Sequence, residues 1–379
     1  MRKLEVMTVV GTRPEIIRLS RTIAALDREC AHTLVYTGQN HDHELAQIFF
    51  DDLGIRAPDH FLGAAGKTPI ETVGNVMVEV DAVIARLEPE ALLVLGDTNS
   101  CLGAVYPAKR RKVPVFHMEA GNRCFDQRVP EEINRKVVDH LADVNLTYSQ
   151  IGREYLLREG FPADRIIKTG SPMFEVLQHH RAKIAASDVL ARLGLAPRDY
   201  FVVSAHREEN LEAGRFEVLA ATLNAVAARY GKRMIFSTHP RTRERISSAG
   251  VALSPLIETI KPLGFTDYVK LQAGAIAVLS DSGTISEESS ILNFPALNLR
   301  EAHERPEAFE EAAVMLTGLT AENVLRGLKI LESQPRGDDR LLRLVEDYAQ
   351  PNVSEKVVRI LVSYAHVVNR TVWSKPCGG

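Results

Sequence analysis

Three carboxylates follow apolar runs that are typical of buried strands, at the edge where parallel α/β sheets bind ligands. Asp97 follows the run 91–96, Glu119 follows the run 113–118, and Glu131 stands in the first turn of the next predicted helix. Like charges crowded in a cleft raise one another's pKa values, and such groups can take and return protons near neutral pH. The spacing therefore predicts a catalytic cluster of three acids.

Two of these acids also have a structural explanation. Asp97 directly precedes a predicted helix and could simply cap it. Glu131 lies in a first helical turn, where a carboxylate complements the helix dipole, and it could pair with Arg135 four residues later. The sequence alone leaves these alternatives open.

Basic residues suited to phosphate groups follow two other predicted strands. Arg13 stands in the turn Gly11-Thr12-Arg13, which opens a helix whose free N–H groups favour an anion. His206 and Arg207 follow the predicted strand Tyr200–Ala205 and could hold phosphates or protonate a leaving group. Each residue also has a structural alternative. Arg13 could be a solvated side chain in a capped turn, and His206 could have only a structural role.

A further group follows the predicted strand Ala275–Asp281 and suits a diphosphate, because it combines hydroxyls with a helix start. Its members are Ser282, Gly283 and Thr284. We expect the chain to turn at Gly283. Glu288, one turn into the helix, could accept two ribose hydroxyls. Thr284 with Glu287 also matches a capping box, T-x-x-E, which is a sufficient structural reason for both. Arg305 follows the next strand and adds a positive charge facing the same region.

The elements that must position these residues alternate between short apolar runs and helical patterns. This alternation predicts two doubly wound parallel sheets, each covered on both faces. We place the hinge in the polar stretch Ala185–Asp199, so that residues 1–185 form a Rossmann-like domain with the acids and 186–352 form a second one. We expect the ligand in the cleft that the carboxyl ends of the strands leave. An amphipathic helix at 353–370 is expected to dock on the first domain.

Composition excludes several classes of protein. The chain has 379 residues, of which 45% are hydrophobic and 25% charged, with a net charge of −3, so we expect a globular protein that binds neither nucleic acid nor a membrane. We find no transmembrane run and no signal peptide. The cysteines lack metal or redox spacing and fit a reducing cytoplasm. No dinucleotide fingerprint or H-E-x-x-H motif is present, so we expect no nicotinamide cofactor and no metal.

Seven ordered motifs give the chain a resemblance to the non-hydrolysing UDP-N-acetylglucosamine 2-epimerase family over essentially its whole length. They are GTRPE at 11–15, GDT at 96–98, HMEAG at 117–121, PEEINR at 130–135, HRE at 206–208, DSG with EE at 281–288, and ERPE at 304–307. The resemblance implies two Rossmann-like domains in the GT-B arrangement with UDP in the cleft. It also implies a cytoplasmic homodimer without cofactor or metal.

The resemblance further implies a reaction and the residues that perform it. UDP is eliminated across carbons 1 and 2 of a 2-acetamido sugar, and it then adds back to the glycal with a proton on the other face of carbon 2. Asp97, Glu119 and Glu131 match the family's catalytic acids, and His206 matches the histidine that helps the diphosphate depart. Residues expected at the UDP-sugar are Arg13, Arg18, Arg135, Arg207, Phe265 or Tyr268 at the uracil, Ser282, Gly283, Thr284, Glu288 and Arg305.

The chain departs from the family pattern in three places. Arg18 replaces the usual lysine, Gly283-Thr284 replaces a glycine pair, and the loop 121–129 is shorter. Three segments, VMTVVGTRPEIIRLSR at 6–21, GNRCFDQRVPEEINR at 121–135 and REAHERPE at 300–307, resemble the branch that makes UDP-N-acetyl-L-fucosamine from UDP-2-acetamido-2,6-dideoxy-L-talose for bacterial capsule and O-antigen. The alternatives are a UDP-N-acetylglucosamine 2-epimerase giving UDP-N-acetylmannosamine, a hydrolysing epimerase, a GT-B glycosyltransferase and a nucleotide-sugar binding protein without activity.

Overall fold

Two parallel sheets, each within its own unit of the chain, form the fold. The computed structural model describes residues 2–39, 43–207, 210, 214–238, 240–248 and 250–375. The first unit is Met1–Gln178 together with Ala349–Gly379, and the second is His179–Tyr348. The polar stretch in which the sequence analysis places the hinge, Ala185–Asp199, therefore lies inside the second unit.

The first unit contains a seven-stranded parallel sheet in the order β3-β2-β1-β4-β5-β6-β7. Its strands are β1 (Glu5–Val10), β2 (Ala31–Tyr36), β3 (His60–Phe61), β4 (Ala91–Leu95), β5 (Val115–Ala120), β6 (Val144–Thr147) and β7 (Ile166–Lys168). Every residue of β4 and β5 is buried. Such continuous apolar strands form because helices cover both faces of a parallel sheet.

The helices of this unit follow the strands in sequence. They are α1 (Arg13–Glu29), α2 (His43–Leu53), α3 (Pro69–Leu87), α4 (Asn99–Arg110), α5 (Pro130–Leu141), α6 (Gln150–Arg158) and α7 (Met173–His179, whose last residue begins the second unit). The sequence analysis does not identify α3, although its start carries a helix signal. Thr68 caps α3 by accepting the Glu71 N–H at 3.1 Å, and Pro69 is its first residue.

The second unit contains a six-stranded parallel sheet in the order β10-β9-β8-β11-β12-β13. Its strands are β8 (Tyr200–Ser204), β9 (Arg233–Ser237), β10 (Ile257–Ile260), β11 (Val278–Ser280), β12 (Ala296–Asn298) and β13 (Met315–Leu316). Its helices are α8 (Arg181–Ala186), α9 (Val189–Arg192), α10 (Arg215–Tyr230), α11 (Pro240–Ser248), α12 (Phe265–Gly274), α13 (Thr284–Leu292), α14 (Pro306–Glu310) and α15 (Ala321–Leu331). The helices α7 and α8 are separate, because His180 leaves the helical conformation between them.

The last helix, α16 (Val353–Thr371), belongs to the first unit and packs against α1. Val357, Leu361 and Ala365 lie four residues apart and are buried, as the amphipathic pattern predicts. The start of α16 is fixed by Glu175, whose carboxylate accepts the Ser354 N–H at 2.9 Å. Among the described residues, none of the helices is both long and apolar enough to span a bilayer.

Leu361→Ala is expected to destabilise the first unit by about 2–5 kcal/mol, because it removes a fully buried side chain from α16, the helix that packs against α1. Denaturant unfolding followed by circular dichroism measures the effect. We expect the transition that unfolds the first unit to have its midpoint at a lower denaturant concentration. Val362→Ala is the matched control, since the neighbouring Val362 side chain is 50% exposed. Equal midpoints for the two variants would contradict the packing role of Leu361.

Candidate active site

The carboxyl ends of β4 and β5 bring two of the predicted acids to one edge of the first sheet. The strands are parallel neighbours with Leu95 opposite Met118. Asp97 therefore lies just past the end of β4, and Glu119 is the second-last residue of β5, at the edge where open α/β sheets bind ligands. This placement is what the sequence pattern predicts.

Asp97 is held by helix α5 and does not cap α4. Arg135 donates from Nε at 3.0 Å and from Nη2 at 2.7 Å to Asp97 Oδ2. Asn134 Nδ2 donates to the Asp97 carbonyl at 3.0 Å. The cap of α4 is Thr98, whose hydroxyl accepts the Cys101 N–H at 3.2 Å. The capping explanation of Asp97 is therefore wrong, and its carboxylate is a paired anion with about a fifth of its surface open.

Glu119 has an unusual backbone conformation. Its φ is +67°, in the left-handed region that non-glycine residues seldom adopt, and the pairing of β5 with β6 shifts register across it. Arg18 Nη1 donates to Glu119 Oε2, and Asn122 Nδ2 donates to Oε1 at 3.3 Å. Strained backbone of this kind clusters at functional sites, where the surrounding structure maintains it. Arg18, the residue that departs from the family pattern, thus contacts a predicted catalytic acid.

The two glutamates that open α5 differ in their surroundings. Glu132 is fully buried and accepts the Cys124 N–H at 3.0 Å, the Phe125 N–H at 3.3 Å and Arg135 Nη1 at 3.2 Å. These bonds fasten the short loop before α5. Glu131 is half-buried in the same turn, one helical turn before Arg135 and so on the same face of α5. Glu132 therefore has a structural role, and Glu131 remains a predicted acid.

Glu15 connects the turns after β1 and β4, a role that the sequence analysis does not assign. Its Oε2 accepts the N–H groups of Gly11 at 2.9 Å and Thr12 at 2.6 Å, and its Oε1 accepts the Thr98 hydroxyl at 2.8 Å. Burial raises the pKa of Glu15, and these hydrogen bonds oppose the rise. Only glycine fits at Gly11, because a Cβ there would lie 1.9 Å from the Ser100 hydroxyl.

Arg13 begins α1 beside these contacts. It is half-buried, and its guanidinium carbon lies 5.6 Å from the ring centre of Phe49. Such a cation–π contact orients the side chain without using its five N–H donors. Arg13 is therefore held in place at a helix start that favours an anion.

In the second unit, Asp281 fixes the loop that carries His206. Its carboxylate accepts the N–H groups of His206 at 2.9 Å and Arg207 at 3.0 Å, and Asn210 Nδ2 at 3.0 Å. His206 is half-buried, and its Nε2 lies 3.1 Å from the Ser204 hydroxyl. The strands before these loops, β8 and β11, are parallel neighbours. Glu208 of the HRE motif lies outside the described residues.

The start of α13 contains hydroxyls but no capping box. The Ser282 and Thr284 hydroxyls lie 3.0 Å apart, and the Thr284 N–H donates to Ser282 Oγ at 3.3 Å. The helix begins after Gly283, which has φ −65° and ψ −27°, so the chain does not turn there through a conformation that needs glycine. Glu287 is fully buried 3.6 Å from Arg305 Nε. The capping explanation of Thr284 and Glu287 is therefore wrong.

Arginines and acids surround this helix start. Glu304 accepts Arg207 Nη2 at 3.3 Å on one oxygen and Arg300 Nη2 at 3.3 Å on the other. Arg305 is buried and also donates to the Glu304 carbonyl at 3.3 Å. Arg300, which the sequence analysis does not single out, follows β12. Its position two residues past a strand, like that of Asp97, is the signal that could have identified it.

The residues expected near the nucleoside lie on α12 and α13. Glu288 is buried, and its Oε2 accepts Gln272 Nε2 at 2.9 Å. Phe265 is buried, and its ring centre lies 5.9 Å from that of His180 in an edge-to-face contact. Tyr268 is half-buried. Within the described residues, no group of three or more His, Cys, Asp and Glu side chains has an arrangement that could hold a metal ion.

Comparison with known proteins identifies the family. The sequence model of the UDP-N-acetylglucosamine 2-epimerase family matches residues 24–362. The chain belongs to this family. Members of it are isomerases, and the chain is therefore a UDP-sugar 2-epimerase. The match favours this activity over the glycosyltransferase and the inactive binding protein.

Solved structures and a curated relative agree with this assignment. The structure of UDP-N-acetylglucosamine 2-epimerase from Rickettsia bellii is 47% identical, with a TM-score of 0.92, over 99% of this epimerase and 100% of that chain. The Methanocaldococcus jannaschii enzyme in complex with UDP-GlcNAc and UDP is 30% identical, with a TM-score of 0.89, over 95% and 99%. The UDP-2,3-diacetamido-2,3-dideoxy-D-glucuronate 2-epimerase of Pseudomonas aeruginosa is 30% identical, over 89% of this epimerase and 94% of its own length.

Proposed function

We propose that this epimerase converts UDP-2-acetamido-2,6-dideoxy-L-talose to UDP-N-acetyl-L-fucosamine, a precursor of bacterial capsule and O-antigen. The contact between Arg18 and Glu119 carries the proposal, because it places the main departure from the family pattern directly on a predicted catalytic acid. A planar guanidinium presents donors differently from a lysine ammonium, so the sugar that fits beside it also differs. Relatives at 30–31% identity are named for different UDP-sugars, which supports variation of substrate within the family.

The chemistry is elimination followed by re-addition. A carboxylate removes the proton from carbon 2 as the bond between carbon 1 and the UDP oxygen breaks, which leaves a glycal and UDP. A second acid then protonates carbon 2 on the opposite face while UDP re-forms the bond to carbon 1. Asp97, Glu119 and Glu131 are the proposed acids and bases. Asp97 and Glu119 are both paired with arginine as anions, the form that accepts a proton.

The UDP group uses the second set of residues. We propose that His206 gives a proton to, or hydrogen-bonds, the departing diphosphate, and that Arg13 and Arg207 balance its charge. The N–H groups and hydroxyls of Ser282, Gly283 and Thr284 bind the phosphates, with Arg305 near them. Glu288 accepts the ribose hydroxyls, and Phe265 or Tyr268 packs against the uracil.

A second substrate has its own support. The Rickettsia bellii protein, 47% identical, is named a UDP-N-acetylglucosamine 2-epimerase, so conversion of UDP-N-acetylglucosamine to UDP-N-acetylmannosamine is the alternative. We also propose that the enzyme works as a homodimer in the cytoplasm, as the family resemblance implies.

Proton NMR in D₂O with each UDP-sugar tests the proposal. Deuterium at carbon 2 of a new UDP-L-fucosamine derivative, formed without any acceptor, is the expected result. Exchange only with UDP-N-acetylglucosamine would keep the mechanism and reject the L-talose substrate. If neither UDP-sugar exchanges its carbon 2 proton, both proposed substrates are rejected.

A further inference from the structure

A fully buried histidine, His117, lies between the loops that carry the two paired acids. It belongs to β5, two residues before Glu119. Its Nδ1 lies 2.9 Å from Asp139 Oδ1, and its Nε2 lies 2.8 Å from the carbonyl oxygen of Gly96, the residue before Asp97. A carbonyl oxygen can only accept a hydrogen bond, so Nε2 carries a proton.

Whether Nδ1 of His117 carries a proton depends on whether Asp139 is ionised. The groups that contact Asp139 determine this. Gly121 N–H lies 3.3 and 3.2 Å from the two oxygens of Asp139, and Arg123 Nη1 donates to Oδ2 at 2.7 Å. Burial alone would raise the pKa of Asp139, but the hydrogen bond from His117 and the charge of Arg123 lower it below its ordinary value. Because Gly121 and Arg123 both donate to it, Asp139 is a carboxylate that only accepts, and Nδ1 of His117 also donates.

Charge balance leads to the same protonation state. The charged groups in this cluster are His117 on β5, Asp139 on α5, Arg123 after β5, and Glu159 after α6, which accepts Arg123 Nε at 2.8 Å. With His117 protonated, two cations face two anions. With His117 neutral, the single cation Arg123 would face two anions, the fully buried Asp139 and Glu159, whose side chain is 30% exposed. An unpaired buried charge is far more costly than a paired one.

We propose that His117 is an imidazolium that donates from both ring nitrogens and so positions Asp97 and Glu119 for proton transfer. It bonds the carbonyl that precedes Asp97, and it shares Asp139 with Gly121, so the segment on both sides of Glu119 is anchored to one carboxylate. The strained backbone of Glu119 lies between His117 and Gly121, which both bond Asp139. His117 is a positioning residue, and its effect on turnover rests on the proposed epimerase activity.

NMR of the enzyme labelled with ¹⁵N-histidine tests the protonation state without any substrate. We expect one ring to show two protonated nitrogens, and its signals to disappear from the spectrum of His117→Gln. In Asp139→Asn the same ring is expected to lose one proton, because its anionic partner is gone. A spectrum from which His117→Gln removes no doubly protonated ring would overturn the proposal.

Kinetics tests the positioning role. His117→Gln is expected to lower kcat by roughly 10- to 100-fold, the usual cost of a small misplacement of reacting groups, with little change in KM. UDP affinity, measured by calorimetry, stays unchanged, and a wild-type circular dichroism spectrum and unfolding midpoint show that the variant is folded. His140→Gln is the matched control, because His140 is exposed on α5 and its Nδ1 lies 2.8 Å from the Lys136 carbonyl oxygen of its own helix. Unchanged kcat in His117→Gln would overturn the role, whereas a wild-type enzyme without turnover would reject only the proposed function.

Discussion

Glu119→Gln should slow turnover by roughly 10²–10⁴-fold, the usual contribution of a positioned acid–base group. The amide keeps the shape of the side chain and the bond from Arg18 to its oxygen, but it cannot take a proton from carbon 2. Deuterium incorporation at carbon 2, followed by NMR in D₂O, measures the loss directly. UDP affinity should remain, because the residues proposed to bind UDP in the second unit are unchanged.

The control for this variant is the same substitution at an exposed site. Glu154 lies on α6 with 46% of its side chain exposed, and its Oε2 is 3.8 Å from Arg158 Nη2 on the same helix. Glu154→Gln should exchange at the wild-type rate. Carbon 2 exchange in Glu119→Gln at more than a tenth of the wild-type rate would remove Glu119 from the proton-transfer step.

His206→Ala is expected to slow the reaction by a similar factor, roughly 10²–10⁴-fold, but at a different bond. His206 acts on the departing diphosphate in the proposed mechanism, so its loss slows cleavage at carbon 1. Its backbone is held by Asp281 independently of its side chain, which means that the substitution leaves the loop anchored. The rate at which UDP-sugar is converted, with UDP binding measured in parallel, gives the size of the effect.

The matched control is His366→Ala, since His366 is exposed on α16. It should leave turnover unchanged. A loss below tenfold in His206→Ala would exclude His206 from the mechanism, whereas lost UDP affinity would assign it to ground-state binding instead.

Much of the fold could be predicted because parallel strands buried on both faces leave continuous apolar runs in the sequence. The helix starts were less certain for a physical reason that Asp97 and Thr98 illustrate. Both side chains can accept a backbone N–H, they are adjacent, and only the backbone geometry decides that Thr98 is the cap. Gly283 is a similar case, because glycine suggests a turn but adopts ordinary helical angles here.

The contacts that define the site could not be read from local spacing. Arg18 and Glu119 are 101 residues apart in the chain, and Asp97 and Arg135 are 38 apart, so their pairing depends on strand order. Glu15 was visible in the first motif, but its partner Thr98 comes from a turn 83 residues away. Single residues after strands were predictable, whereas their pairing required the sheet topology.

The return of α16 to the first unit affects the order in which the protein can be completed during translation. The ribosome makes residues 179–348 before it makes α16, and α16 packs against α1. The second unit can therefore finish folding while the first, although begun earlier, still exposes the apolar surface that α16 covers. A premature stop codon before α16 would thus damage the unit that was synthesised first, and chaperones would meet that exposed surface on every nascent chain.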